Sequence, residues 1–196
     1  MQIILTDFMS LDGVVQAPGG PEEDTDGGFG HGGWSVPYFD VEVMGTAIDE
    51  LLERSDALLF GRRTWERMAA AWPERAGDPF ADRMNELPKY VASRTLSQDD
   101  LTWSGSVLLP ADDALGAIRE LRAGDGRGLQ VWGSSNLAAQ LIEHDLVDEY
   151  VLLLEPILLG GGKRIFPEDG RARPLELVSV ERAATGVLIC TYRPQR

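Results

Sequence analysis

Short apolar runs alternate along most of the chain with segments in which apolar residues recur at helical spacing. The apolar runs predict buried strands, which we place at 2–8, 57–60, 90–92, 107–109, 129–132 and 147–155. The periodic segments predict helices at 41–54, 64–71, 111–123 and 137–143. A regular alternation of strand and helix is typical of an α/β sheet whose central strands run parallel.

The last part of the chain has a different pattern. Two apolar-rich segments, 175–182 and 187–193, flank a short turn sequence and predict an antiparallel hairpin. We therefore predict one α/β domain over residues 1–196, with a mixed sheet that is mostly parallel, a C-terminal antiparallel hairpin and helices on both faces. Such sheets bind ligands at the carboxyl ends of their parallel strands, so a site is expected there.

Charge is distributed unevenly along the chain. The formal net charge is −14, from 18 Lys and Arg against 32 Asp and Glu, and this acidic balance argues against nucleic acid and anionic membranes as partners. The first basic residue is Arg54, and residues 1–53 hold eleven acids. Within that region, the glycine-rich segment 16–34 predicts a long surface loop, and loops of this length in compact domains tend to be functional or mobile.

Neither a membrane segment nor a metal site is expected from the sequence. No apolar run reaches the roughly 20 residues of a membrane span. The N-terminal sequence lacks the basic start of a signal peptide, so we expect a cytoplasmic protein. Cys190 is the only cysteine and lies in an apolar run, which predicts a reduced core residue. The two histidines, His31 and His144, are far apart in sequence and are expected at the surface.

Three predicted strands end in turns that can hold an anion. The turns combine small, hydroxyl and basic residues; they are Gly61-Arg62-Arg63-Thr64, Ser93-Arg94 and Gly133-Ser134-Ser135-Asn136-Leu137. Helix N-termini bind anions through unpaired N–H groups, and Arg adds bidentate phosphate recognition. Each turn alone also fits a simpler role, as a helix cap at Thr64 beside solvated arginines or as an ordinary strand–helix connection. Together they predict an NADPH site, with the pyrophosphate at 133–137 and the arginines on the ribose 2′-phosphate.

The order and spacing of these motifs resembles the dihydrofolate-reductase-like superfamily, in particular its branch with the riboflavin-biosynthesis reductase domain. The resemblance covers nearly the whole chain and rests on Ser10-Leu11-Asp12-Gly13, Gly61-Arg62-Arg63-Thr64-Trp65, Ser93-Arg94, Gly133, segments 146–149 and 156–162, and Phe166. It implies an NADPH-dependent reductase whose first two turns hold the 2′-phosphate end of the cofactor and whose third turn contacts the pyrophosphate. It also implies a homodimer, the state of many relatives in this branch.

Two departures from the family pattern bear on the substrate. Riboflavin reductases usually carry Glu-Gly-Gly at the third turn, where this chain has Trp132-Gly133-Ser134. Their substrate is a ribose phosphate, yet residues 1–53, which we expect to border the substrate, hold no Lys or Arg. We therefore expect a small heteroaromatic substrate, pterin-like or pyrimidine-like, without a phosphate.

Two carboxylates are candidates for proton transfer during the reduction. In dihydrofolate reductase the catalytic carboxylate lies at the start of the helix before the Gly-Arg-x-Thr strand, and Asp40 is the nearest match here. Asp12 is the other candidate. The simpler roles are a helix cap for Asp40 and a turn residue for Asp12. An alternative to the reductase is therefore a non-catalytic NADP-binding protein of the same fold.

Overall fold

Eight strands form one mixed sheet in the order β4-β3-β2-β5-β1-β6-β8-β7 in the computed structural model, which describes residues 1–195. The strands are β1 Gln2–Ser10, β2 Ser55–Gly61, β3 Lys89–Ala92, β4 Ser106–Leu108, β5 Gly128–Trp132, β6 Glu149–Glu155, β7 Leu175–Arg182 and β8 Leu188–Pro194. Strands β1 to β6 run parallel, whereas β8 is antiparallel to β6 and to β7. The predicted mixed sheet with a C-terminal hairpin is confirmed. Arg196, the last residue of the predicted domain, lies outside the described residues.

Five α-helices cover the two faces of the sheet. They are α1 Thr46–Glu53, α2 Arg62–Ala71, α3 Pro79–Glu86, α4 Ala114–Ala123 and α5 Ser135–Glu143. On one face, Ile118 of α4 and Leu141 of α5 pack with strand residues such as Leu5. On the other face, α1, α2 and α3 contribute Leu52, Trp65 and Met84 to a cluster with residues of β2 and β3. Helices on both faces and a buried Cys190 agree with the sequence analysis.

Helices α2 and α5 each begin two residues before their predicted starts, and three other segments differ further from the sequence analysis. Helix α3 was not predicted because it spans only eight residues, opens on Pro79 and holds only three further apolar residues, Phe80, Ala81 and Met84. The helix predicted over 111–123 begins at Ala114, where the Asp113 side chain accepts the N–H of Gly116. The helix predicted over 41–54 begins instead with a π-helical turn, Val41–Gly45, before α1.

The sheet brings the carboxyl ends of its parallel strands to one edge. The turns after β3, β2, β5, β1 and β6 therefore lie side by side in that order. Across residues 1–195, no helix is long and apolar enough to cross a membrane. The edge formed by these turns is the part of the fold where a site is expected.

Candidate functional site

The turns after β2 and β5 are joined by reciprocal hydrogen bonds. The Gly61 N–H donates to Ser134 Oγ at 2.9 Å, and the Ser134 N–H donates to Thr64 Oγ1 at 3.0 Å. Gly133 and Ser134 have φ of 53° and 58°, a left-handed conformation that turns the chain sharply into α5. The Ser93-Arg94 turn lies close by, because Gly61 pairs in register with Ala92, the residue before Ser93. The structure thus brings together the three turns that the sequence singled out.

Helices α2 and α5 begin without an N-cap side-chain hydrogen bond, as α1 does, whereas three other helical segments are capped by aspartates. Asp40, Asp78 and Asp113 each accept N–H groups at the starts of the π-helical turn, α3 and α4. By contrast, within residues 1–195 no side chain accepts an N–H from the first turn of α2 (62–64) or of α5 (135–137), although side chains do accept the N–H groups of the preceding Gly61 and Ser134. The first N–H groups of these two helices therefore remain available to an anion, with the favourable end of the helix dipole behind them.

The three arginines of the turns differ in what they contact. Arg62 pairs with Glu66 one helical turn away, at 3.0 Å. Arg63 pairs with Asp26 of the 16–34 loop. Arg94 is exposed and forms no ion pair with any described residue. Positive charge is therefore concentrated at this edge, but the protein's own carboxylates neutralise part of it.

The hydroxyl of Ser93 is used inside its own turn. Ser93 Oγ accepts the N–H of Thr95 at 3.1 Å and that of Leu96 at 3.0 Å. The side chain is also buried. Its observed contacts shape the turn that presents Arg94.

The 16–34 loop is held over the edge by Gln16, a buried residue that the sequence analysis did not single out. Its Nε2 donates to the carbonyls of Asp24 and Asp26, at 3.0 and 3.1 Å, and its Oε1 accepts the Lys163 N–H at 3.0 Å. Its own carbonyl accepts the indole N–H of Trp34 at 2.7 Å. One glutamine thus links both ends of the loop to the segment that follows β6.

Ion pairs fasten the acidic part of this loop to basic residues from later in the chain. Lys163 Nζ lies 2.5 Å from Asp24 and 2.8 Å from Asp26, and Arg63 also pairs with Asp26. These two basic partners lower the pKa of Asp26 to about 2, Lys163 more than Arg63. Arg164 lies 3.8 Å from Asp12. Folding therefore brings basic side chains from later in the chain to residues 1–53, which hold no Lys or Arg of their own.

Asp12 joins the turn after β1 to the segment after β6. Its carboxylate accepts the Ser10 hydroxyl at 2.7 Å and the N–H groups of Leu159 and Gly160 at 3.0 and 2.8 Å. These hydrogen bonds, that of Ser10 foremost, lower the pKa of Asp12 to about 2. The contacts match the role of a turn residue, and the catalytic role suggested for Asp12 stays a prediction.

Asp40 caps the π-helical turn Val41–Gly45, which is the simpler of the two roles that the sequence analysis gave it. Its carboxylate accepts the N–H groups of Glu42 and Val43, and also that of Ala184 at 3.1 Å from the hairpin turn. Hydrogen bonds from Val43 and then Ala184 lower the pKa of Asp40. The catalytic role suggested for Asp40 likewise stays a prediction.

A family model for the RibD C-terminal domain matches residues 1–189. The chain belongs to the RibD C-terminal domain family. Among its relatives, the uncharacterized protein YyaP of Bacillus subtilis (strain 168) is 24% identical over 97% of this chain and 94% of its own length. A structure from Shewanella sp. PV-4, provisionally assigned to riboflavin biosynthesis, superposes with a TM-score of 0.74 at 23% identity over the full length of both chains.

A second solved structure extends the comparison. A pyrimidine reductase-like protein from Corynebacterium diphtheriae matches with a TM-score of 0.66 and 15% identity, over 100% of this chain and 92% of that one. At this level of identity the likeness establishes the shared fold.

The sequence analysis also missed two buried acids in this RibD-like domain. Asp7 of β1 and Glu155 of β6 are 3% and 1% exposed, and each has one carboxyl oxygen without a hydrogen-bond partner in the described part of the chain. Burial, and next the charge of Glu23, raises the pKa of Asp7 well above its usual range. Burial also raises the pKa of Glu155, to about 7. The signal in the sequence was a carboxylate placed inside or at the end of an apolar strand.

Proposed function

We propose that the protein is an NADPH-dependent reductase that transfers a hydride to a small heteroaromatic substrate of the pterin or pyrimidine type. The observation that carries this proposal is that the starts of α2 and α5 are hydrogen-bonded to each other, while the N–H groups of their first turns are not taken up by an N-cap side chain. Helix starts of this kind recognise phosphate.

The residues of the edge fit the phosphate groups of the cofactor. The N–H groups of Ser135, Asn136 and Leu137 open α5 and would hold the pyrophosphate, while Gly133 keeps the approach free of a side chain. Arg62, Arg63 and Arg94, supported by Gly61, Thr64 and Ser93, would hold the ribose 2′-phosphate. When bound, NADPH supplies the hydride.

The substrate end of the site lies nearer the turn after β1 and the segment after β6. Trp132 takes the place where riboflavin reductases usually have a Glu, and its ring stacks on Phe80 at 5.9 Å with a 7° interplanar angle. An aromatic wall in place of a carboxylate favours a flat heteroaromatic ring over a ribose phosphate. The name of the Corynebacterium relative, pyrimidine reductase-like, points to the same substrate class.

Cofactor titration tests this proposal directly. We expect NADPH to quench tryptophan fluorescence at concentrations at least tenfold lower than NADH, because only NADPH carries the 2′-phosphate. Arg62→Ala and Arg94→Ala should each weaken NADPH binding about tenfold, since a hydrogen bond to a charged group contributes about 1.5–3 kcal/mol. NADH binding should change little.

Arg119→Ala provides the control, because Arg119 lies on α4, away from the three turns. It should bind both cofactors as the unmodified protein does. Equal and weak binding of NADPH and NADH, insensitive to Arg62 and Arg94, would show that the edge is not an NADPH site.

A non-catalytic NADP-binding protein is the second candidate. The hydrogen bonds that occupy the carboxylates of Asp12 and Asp40 favour it, because both acids that the sequence offered for proton transfer have structural partners. This alternative predicts NADPH binding without NADPH oxidation across a panel of pterins, pyrimidines and quinones. Oxidation with any member of the panel rejects it.

We also propose that the protein forms a homodimer, as the resemblance implies. Leu177, Val180 and Leu188 of the hairpin are 51%, 52% and 38% exposed, and strand pairing puts them on one face. Burying such a patch is favourable by about 25 cal/mol per Å². Sedimentation should therefore give twice the monomer mass, and Val180→Lys should shift it towards the monomer. A monomeric unmodified protein would contradict the proposal.

A further inference from the structure

Glu155 stands apart from the other buried acids in how it is held. The described chain buries three acidic side chains, Asp7, Glu149 and Glu155. Glu149 is 2% exposed and pairs with Arg54 and with Arg193. Glu155 forms no ion pair in the described chain, and one of its oxygens, Oε2, has no hydrogen-bond partner there. A buried polar atom left in this state is costly, so its retention calls for a functional explanation.

The other oxygen of Glu155 is held in place by a hydroxyl. Ser35 Oγ donates to Glu155 Oε1 at 2.5 Å, and Ser35 is itself 5% exposed. Ser35 follows Trp34, whose indole N–H is bound by the carbonyl of Gln16 at the start of the loop. The carboxyl group is thus fixed by one oxygen and unpartnered at the other.

Its place in the sheet puts Glu155 at the ligand edge. It is the last residue of β6 and pairs in register with Ser10, the last residue of β1. The Ser10 hydroxyl donates to Asp12, which ties the turn after β1 to the segment after β6. Both strands are central and parallel, and their carboxyl ends form the substrate end of the proposed site.

Among residues 1–195, no basic side chain forms an ion pair with Glu155 that would compensate its ionisation. In the turn after β1, the Ser10 hydroxyl donates to the charged group Asp12. Asp12 in turn lies 3.8 Å from Arg164, and neither of the two has a hydrogen bond or ion pair with Glu155 in the described chain. From the segment after the loop, Ser35 is the contact and is neutral, while the Asp40 carboxylate is bound to N–H groups of its helical turn and of the hairpin. Burial therefore governs this carboxyl, and with a pKa of about 7 it holds and releases a proton near neutral pH.

We propose that Glu155 is the proton donor of the reduction and that Ser35 is a positioning residue that orients its carboxyl group. This inference rests on the proposed function. In the reduction of a C=N bond, the hydride from NADPH forms the new C–H bond while the proton on Glu155 Oε2 forms the new N–H bond. The C=N π bond is broken, the nicotinamide is left oxidised, and the Glu155 carboxylate regains a proton from water.

Asp7 does not meet the same requirements. It lies three residues before Ser10 on β1, so alternation along the strand directs it to the opposite face of the sheet from Glu155. No hydroxyl group holds its carboxyl in the described structure, and burial, followed by the charge of Glu23, raises the pKa of Asp7 well above its usual range. Asp7→Asn therefore serves as a competing variant in the test.

The test compares pH profiles of NADPH oxidation for the full-length protein, with whichever pterin or pyrimidine of the panel it reduces. We expect kcat/KM of the unmodified protein to fall as the pH rises through about 7, where Glu155 loses its proton. Glu155→Gln should lower kcat about a hundredfold and remove this step, because general acid catalysis contributes about 10²–10⁴-fold. Ser35→Ala should move the step to higher pH, since the Ser35 hydrogen bond lowers the pKa of Glu155.

Two measurements separate catalysis from folding and cofactor binding. Glu155→Gln should bind NADPH as the unmodified protein does, and Glu181→Gln, an exposed change on β7, should leave the pH profile unaltered. Glu155→Gln should also melt at a higher temperature than the unmodified protein, by a margin that grows from about pH 4.5 to about pH 7. In that pH range the folded unmodified protein binds more protons than its unfolded chain, so its free energy of unfolding falls as the pH rises.

Each outcome bears on a distinct claim. If Glu155→Gln keeps the pH step in kcat/KM and most of the NADPH oxidation activity, Glu155 is not the proton donor. If Asp7→Asn is the only variant that loses the pH step and the activity, the donor is Asp7. If the unmodified protein oxidises NADPH with no member of the panel, the proposed function fails and the inference fails with it.

Discussion

Replacing Gln16 with alanine is expected to release the 16–34 loop from the site and to lower kcat/KM for NADPH oxidation about tenfold to a hundredfold. The change deletes three side-chain hydrogen bonds, to the carbonyls of Asp24 and Asp26 and from the N–H of Lys163. Each backbone group left without a partner costs about 1–3 kcal/mol where it is shielded from water. The exposed ion pairs between the loop and Lys163 cannot compensate, because such pairs contribute about 0–1 kcal/mol.

Limited proteolysis measures the release independently of activity. A protease that cuts after Glu should cleave Gln16→Ala faster than the unmodified protein at Glu22 or Glu23, within the freed loop. Gln98→Ala is the matched control, since Gln98 also bonds two backbone groups, Ser106 and Leu108, but at an exposed position near the far edge of the sheet. Equal cleavage of both variants would show that Gln16 does not hold the loop.

The centre of the sheet was predictable because its strands are buried on both faces. Parallel strands covered by helices appear in sequence as short continuous apolar runs, and residues 57–60 of β2 are such a run. Helix α3 was not predictable by the same means, since it spans eight residues, Pro79 opens it, and Phe80, Ala81 and Met84 are its only other apolar residues. Pattern reasoning thus found the elements with enough apolar residues to show a period and missed the one with too few.

The cofactor turns were predictable for a different reason. Local sequence specifies a strand, a glycine and a helix start, and parallel order then brings such turns to one edge. Their electrostatic partners were not predictable. Arg63 meets Asp26, 37 residues away, and Lys163 meets Asp24, 139 residues away, contacts that only the tertiary fold creates.

The same limit explains why the buried acids were overlooked. A carboxylate in an apolar strand gives no sign of whether a cation reaches it. Glu149 and Glu155 stand at the two ends of one strand, and both are buried, yet arginines meet only the first. Sequence gives the burial of such a residue more readily than it gives the partners that decide its chemistry.

Phe60→Ala is expected to have the largest effect on stability, a loss of about 3–5 kcal/mol in the free energy of unfolding. Phe60 is fully buried at the end of β2 and stacks on Trp103 with ring centroids 6.1 Å apart. Removing the ring forfeits its burial and leaves a cavity beneath the first cofactor turn, because the strands on either side of β2 prevent collapse.

Urea denaturation followed by tryptophan fluorescence measures the loss, with Phe166→Ala as the control. Phe166 is 44% exposed, so its removal should cost about 1 kcal/mol or less. Because Phe60 immediately precedes Gly61, whose N–H is bound by Ser134, excess NADPH should recover part of the lost stability if the turn still forms. A loss below about 1.5 kcal/mol in the free energy of unfolding would mean that the core under β2 repacks. The rigidity of the Gly61–Thr64 turn would then have to come from its hydrogen bonds to the Gly133 turn rather than from the packing beneath it.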